Sequence, residues 1–190
     1  KMNDKALKTL EYTKIRERLT AQALSPMGKE KCSALVPLDN ISEIVREQKE
    51  TTEAVNMALK KGRLPLGGIK DIRSHLERAE AGGVLAIDEL MAVGEFLYVC
   101  RKVKNYSKQE NKADTFPVLE DYFAIVKTIN NVENEINRCI LNEQEISDDA
   151  SSGLRTVRRE IRNANGSIRD KLNSIIYSAA YKTGYQRSRT

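Results

Sequence analysis

A chain of 190 residues is long enough to bury a hydrophobic core, and one or two domains is the expectation at this length. Charged residues make up 31% and apolar residues 40%, mean hydropathy is -0.53, and no window holds 18 consecutive apolar residues, which together exclude a membrane-embedded chain. The start "KMNDKALKTLEY" lacks an apolar export segment, and Cys32, Cys100 and Cys139 are odd in number and far apart, so neither a disulfide framework nor a CxxC metal knuckle can be drawn and a reducing cytoplasm is the expected compartment.

Lys1 ahead of Met2 reads as a tag remnant before a native start. Aromatic residues are 5% with no Trp, a balance that favours helices over sheets. Leu7, Leu10, Ile15, Leu19 and Ala23 step at helical spacing, with a junction between two short helices at Tyr12-Thr13. Ser25-Pro26 predicts an N-cap and first helical position, opening a helix to about Leu35. After a loop at Pro37 and Asp39, a long helix is expected from Ser42 to Lys61, with Ile44, Val45, Val55, Met57 and Leu59 on its apolar side and Gly62 ending it. Ile69 to Glu80 reads as the next helix, broken by Gly82-Gly83, and Asp88 to Tyr106 as a strong one. The segment from Ser107 to Pro117 is polar and reads as a loop, followed by helices over 118–128 and 132–138. "CILNEQEIS", residues 139 to 147, can pair as a small hairpin around Asn142-Glu143.

From 154 to 179 the apolar residues Leu154, Val157, Ile161, Ala164, Ile168, Leu172, Ile175 and Ala179 form an a/d seam. Asn165-Gly166 is a turn dipeptide, but the seam keeps its register across it, so one helix about 42 Å long is expected at ~1.5 Å per residue. Charge is uneven. The segment from Arg155 to the C-terminus is +7, so the remainder is -2 in a chain of +5 and pI about 9.1. Arg155, Arg158, Arg159, Arg162, Arg169 and Lys171 are therefore candidates for nucleic-acid backbone contact, against the alternative that they only solvate a coiled coil. Leu154, Val157, Ile161, Ile168, Leu172 and Ile175 are candidates for a helix-seam contact, and two copies pairing antiparallel as a homodimer is the expectation.

Catalytic motifs are missing from this pattern. "RLPLGGIKDIR", residues 63 to 73, lacks the GxxxxGK[ST] spacing of a phosphate cradle, so Pro65, Gly67 and Gly68 are expected to form only a tight loop. His75 has no second His or Cys nearby and reads as a surface residue on a polar face. "NEQEISDDASS" lacks the spacing of a calcium loop, and Asp148, Asp149 and Ser151 are expected to start the helix that follows. No nucleophile, acid/base pair, metal cluster or cofactor fingerprint is found, so no catalytic, cofactor or metal residue is expected in the chain itself.

"LEYTKIRERL", "SPMGKEKCSALVPL", "RLPLGGIKDIR" followed by "RAEAGGVLAIDEL", and "EISDDASSGLRTVRREIR" occur in an order that resembles the N-terminal region of the bacterial MutS paralogue carrying a C-terminal Smr domain, over about residues 3 to 181. The resemblance implies a longer parent with a core domain, a helical lever and clamp, a dimeric ABC-type ATPase using ATP and magnesium, and an Smr nuclease-like domain. It also implies roles in suppressing homologous recombination on branched DNA and in splitting collided ribosomes, so DNA, the ribosome and a second copy are the implied partners. The mismatch-reading Phe-x-Glu motif of repair-type MutS proteins is absent, as this branch implies. After Tyr181 the pattern departs from the family, and residues 183–190 read as vector sequence or a join across a gap.

The expected fold class is all-α: a helical bundle core over 1–150, a first lever helix over 151–182, and at most a minor β-hairpin near 139–147. The expected role is structural and signal-transmitting; the alternative is a free-standing helical scaffold whose arginines only solubilise it.

Overall fold

The computed structural model describes residues 4–108 and 115–177; most of the loop expected between Ser107 and Pro117, the last expected lever residues, and the tail lie outside the described residues. Among those described are nine α-helices and one two-stranded antiparallel sheet, an all-α fold with a minor hairpin. The helices are α1 (Asp4–Thr9), α2 (Tyr12–Gln22), α3 (Pro26–Ser33), α4 (Ile41–Lys61), α5 (Arg73–Glu80), α6 (Ile87–Ser107), α7 (Pro117–Ile125), α8 (Asn130–Cys139) and α9 (Ser152–Tyr177), and the strands are β1 (Ile140–Asn142) and β2 (Glu145–Ile146). The chain divides into two units, residues 1–137 and 138–190.

In the first unit the local signals work as their chemistry dictates. Glu11 at φ 51 separates α1 from α2. Ser25 Oγ accepts from the Gly28 amide at 3.0 Å, with Pro26 at the first helical position of α3. Asn40 Oδ1 accepts from the Ser42 amide at 2.9 Å to start α4, and Gly62 at φ 79 ends it.

Two expectations are corrected. Val45, Val55 and Leu59 do not form the buried side of α4; they are 56%, 53% and 80% exposed, and the buried residues are Met57 and Glu53. At about 100° per residue these two faces lie roughly 140° apart, so the aliphatic positions point away from the core that Met57 enters. Second, α5 begins at Arg73 rather than Ile69. Gly68 sits at φ 84, and Asp71 Oδ1 accepts from the Arg73 amide at 3.1 Å, which holds the chain out of the helix until Ile72 has entered the core.

The apolar core comprises Met57, Ile72, Ala92, Leu97, Val99, Val103 and Phe116, with α6 supplying four of them. Gly94 on α6 permits a close crossing by α8, since a Cβ there would sit 3.1 Å from Ile136 Cγ2. Polar side chains complete the packing where helices end. Glu53 Oε2 accepts from the Val118 and Leu119 amides at 2.9 and 3.2 Å, capping α7, whose own preceding residue, Phe116, has no capping side chain. Lys61 Nζ donates to the Tyr106 and Lys108 carbonyls at the end of α6, and Lys104 Nζ donates to the Phe123 carbonyl at the end of α7. Arg101 on α6 grips the buried Glu133 of α8 through Nη2 at 2.7 Å and Nε at 3.0 Å.

In the second unit Ile140 pairs with Ile146 and Asn142 with Glu145, the hairpin that 139–147 predicts. Ser147 is buried, and its Oγ accepts from the Asp149 amide at 3.1 Å to start a single 3-10 turn, Asp148–Ala150. Ser151 Oγ then accepts from the Leu154 amide at 3.1 Å at the start of α9. The helix continues through Gly166 for 26 residues, so the preserved seam outweighed the Asn-Gly turn signal.

Candidate nucleic-acid interface

The arginines of α9 follow from helix geometry. At about 100° per residue, Arg155, Arg158, Arg159, Arg162 and Arg169 fall within an arc of roughly 100°, while Lys171 falls about 170° from its centre. The helix thus brings the five arginines into one stripe and separates Lys171 from them. The seam candidates share a second, narrower arc: Val157, Ile161, Ile168, Leu172 and Ile175 are exposed, and Leu154 is half-buried.

The stripe is unevenly available. Asp148 in the 3-10 turn takes Arg158 Nη1 on Oδ1 at 2.7 Å and Arg162 Nη1 on Oδ2 at 3.3 Å. Arg158 Nη1 also donates to the Ile146 carbonyl of the hairpin at 2.7 Å. Asp149 pairs with Arg155, and its backbone carbonyl accepts from Arg138. Arg158 hydrogen-bonded to Asp148 holds that carboxyl below its ordinary 3.8, partly opposed by burial, with Arg162 adding a smaller pull. Among the described residues Arg159, Arg169 and Lys171 make no ion pair. The acidic run expected to start α9 therefore also anchors three of the candidate arginines. Arg158 and Arg162, four residues apart, share one face of α9, and the 3-10 turn brings Asp148 against that face.

The two glycine-bearing motifs carry ion pairs and close packing. In "RLPLGGIKDIR" Arg73 is held by Asp71 at 2.6 Å and by Glu30 of α3 at 2.7 Å, which ties the loop to a neighbouring helix. Arg73 at hydrogen-bond distance pulls the Asp71 carboxyl down to about 2. In "RAEAGGVLAIDEL" Gly82 turns at φ 80, and Gly83 passes so close to Arg78 that a Cβ would lie 2.7 Å from its Cγ. That approach lets Arg78 reach Glu89 at 2.8 Å, while Glu89 also accepts from the Ala86 amide at 2.9 Å and caps α6.

His75 belongs to this cluster and is not the exposed residue its sequence neighbours suggest. Its side chain is 22% exposed, and the buried Nδ1 lies 3.3 Å from Glu89 Oε1. Sequence reasoning missed Glu89 and Arg78, because an ion pair across a turn leaves no periodic trace. No group of three or more His, Cys, Asp or Glu that could hold a metal ion occurs among the described residues. No helix among them is long and apolar enough to cross a membrane.

No family model matches the chain. It is 44% identical over 186 residues to Endonuclease MutS2 of Lachnoclostridium phytofermentans, 39% identical over 179 residues to that of Alkaliphilus oremlandii, and 40% identical over 177 residues to that of Clostridium botulinum. This chain is a segment of the MutS2 family. These alignments take in 93% to 95% of the chain but only 22% to 23% of each relative, consistent with an N-terminal fragment of a MutS2 paralogue. These relatives are named as endonucleases, and the chain spans less than a quarter of their length.

Proposed function

We propose that the chain is the core and first lever arm of a MutS2-type ATP-driven clamp, a structural and signal-transmitting module whose α9 touches nucleic-acid backbone. The observation that carries this reading is the arginine stripe along a 26-residue helix in a segment homologous to proteins named endonucleases. In the parent, ATP with magnesium and the nuclease chemistry belong to other regions, and branched DNA and collided ribosomes are the ligands. The exposed seam pairs two copies antiparallel: Val157, Ile161, Ile168 and Leu172 would each gain about 1.5 to 3 kcal/mol on full burial. A soluble protein, with the cytoplasm as its compartment, completes the proposal.

Reversing Arg155, Arg158 or Arg162 would set Glu against Asp148 and Asp149 and loosen the helix start, so the informative reversal is Arg159→Glu with Arg169→Glu. Retention on phosphocellulose at low salt should be lost in that variant. Retention equal to the unmutated chain would overturn the reading. A free-standing scaffold with solubilising arginines is the second reading, favoured by the ion pairs that already occupy Arg155, Arg158 and Arg162. It expects both proteins to elute together.

A further inference from the structure

We infer that Asp148, with Asp149 beside it, competes internally with nucleic-acid phosphate and sets how much of the α9 stripe a phosphodiester backbone can reach; the inference rests on the nucleic-acid reading above. A carboxylate and a phosphodiester oxygen offer guanidinium the same kind of charge-assisted acceptor. Asp148 spends both oxygens on the stripe, Oδ1 on Arg158 at 2.7 Å and Oδ2 on Arg162 at 3.3 Å. Asp149 occupies Arg155. The five-arginine stripe thus has an occupied section near the helix start and two open members, Arg159 and Arg169. Arg158 is the most firmly held, since Ile146 O accepts from it as well, and Arg162 is the readiest to move, with the longer contact and a side chain 61% exposed.

A phosphate backbone lying along the stripe meets Arg159 and Arg169 at once, and must displace Asp148 to gain Arg162 and Arg158. Removing the Asp148 charge hands those guanidiniums to the ligand. Each added phosphate contact steepens the dependence of log K on log salt by about 0.9 for duplex DNA. Asp170, also on α9, makes no ion pair among the described residues, so Asp170→Asn changes net charge equally without releasing an arginine.

The test is fluorescence anisotropy of a fluorescein-labelled DNA duplex with the full chain, across a sodium chloride series, for the unmutated protein, Asp148→Asn and Asp170→Asn. Asp148→Asn should bind about three- to tenfold tighter at low salt, with a slope steeper by about 1 to 2, and Asp170→Asn should keep the parental slope. Equal affinity and slope for Asp148→Asn, or an equal gain for Asp170→Asn, overturns the competition while leaving the nucleic-acid reading in place. No binding by either the unmutated protein or Asp148→Asn overturns the nucleic-acid reading and the competition with it. Should far-ultraviolet circular dichroism show that Asp148→Asn has lost helix, Asp149→Asn, which frees Arg155, is judged by the same slope criterion.

Discussion

Arg158 on α9 lies 2.7 Å from Asp148, ten residues earlier in the 3-10 turn, and the same guanidinium donates to the Ile146 carbonyl of the hairpin. One side chain therefore joins strand, turn and helix. Because Arg158 lowers the Asp148 carboxyl in the folded state, the contact stabilises the fold fully above the ordinary value of 3.8 and is lost as pH falls through the lower folded value. Helix content at α9 should therefore hold at neutral pH and fall in acid below about pH 4. Circular dichroism of the unmutated chain should show an acid step that Asp148→Asn reduces; identical acid profiles would contradict the account.

Glu53 replaces the capping side chain that Phe116 does not provide. Glu53→Leu leaves the Val118 and Leu119 amides without an acceptor and should cost about 1 to 2 kcal/mol, whereas Glu53→Gln keeps an amide oxygen and should cost less. At roughly 2 to 4 °C per kcal/mol for a chain of this size, thermal melting resolves the order. Equal melting points for the two variants would show that the contact is incidental.

Gly83→Ala should destabilise by about 1 to 3 kcal/mol, because the added methyl meets Arg78 Cγ at 2.7 Å and its backbone oxygen at 3.0 Å. Gly67→Ala, where nothing lies within 4 Å, should be near neutral. Urea midpoints of the two variants provide the comparison, and a costly Gly67→Ala would reopen a close-approach role for that loop.

Arg101→Ala strands the Glu133 carboxylate, only 3% exposed, without its partner. It should lower the melting point more than the double change Arg101→Met with Glu133→Leu, which removes both charges together. The reverse order would mean that the pair is relieved by water.

The elements that sequence predicted best are those with a periodic or stereochemical cause. α9 was legible because its seam holds phase through Gly166, and α3 because Ser25-Pro26 combines a cap with a fixed φ. On α4 the sequence places Met57 on the buried side but not Glu53. The buried position 53 is a glutamate, recruited by the start of α7 some 65 residues later, whereas hydrophobicity points to Val55 and Leu59. The basic candidates on α9 were visible as charge, but their pairing with Asp148 and Asp149 depends on how the turn folds back on the helix. His75 was misplaced for the same reason, since Glu89 reaches it across the Gly82-Gly83 turn.

Light scattering at tens of micromolar should give a dimer that dissociates in the Ile161→Glu, Ile168→Glu variant, with pairing weak enough to follow mass action. A monomer in the unmutated chain would rule it out. Titration calorimetry with ATP and magnesium should give no saturable heat, since the Gly67-Gly68 loop lacks the cradle spacing; micromolar affinity would contradict that assignment.

The central claim is that the open arginines of α9 meet phosphate backbone. The most direct measurement is the anisotropy of a labelled DNA duplex titrated with the unmutated chain and with Arg159→Glu, Arg169→Glu, at several salt concentrations. The account predicts sequence-independent binding that weakens with salt, with the double reversal at least about tenfold weaker at low salt and shallower in slope by about 2. Equal affinity and equal slope for the two proteins would contradict it.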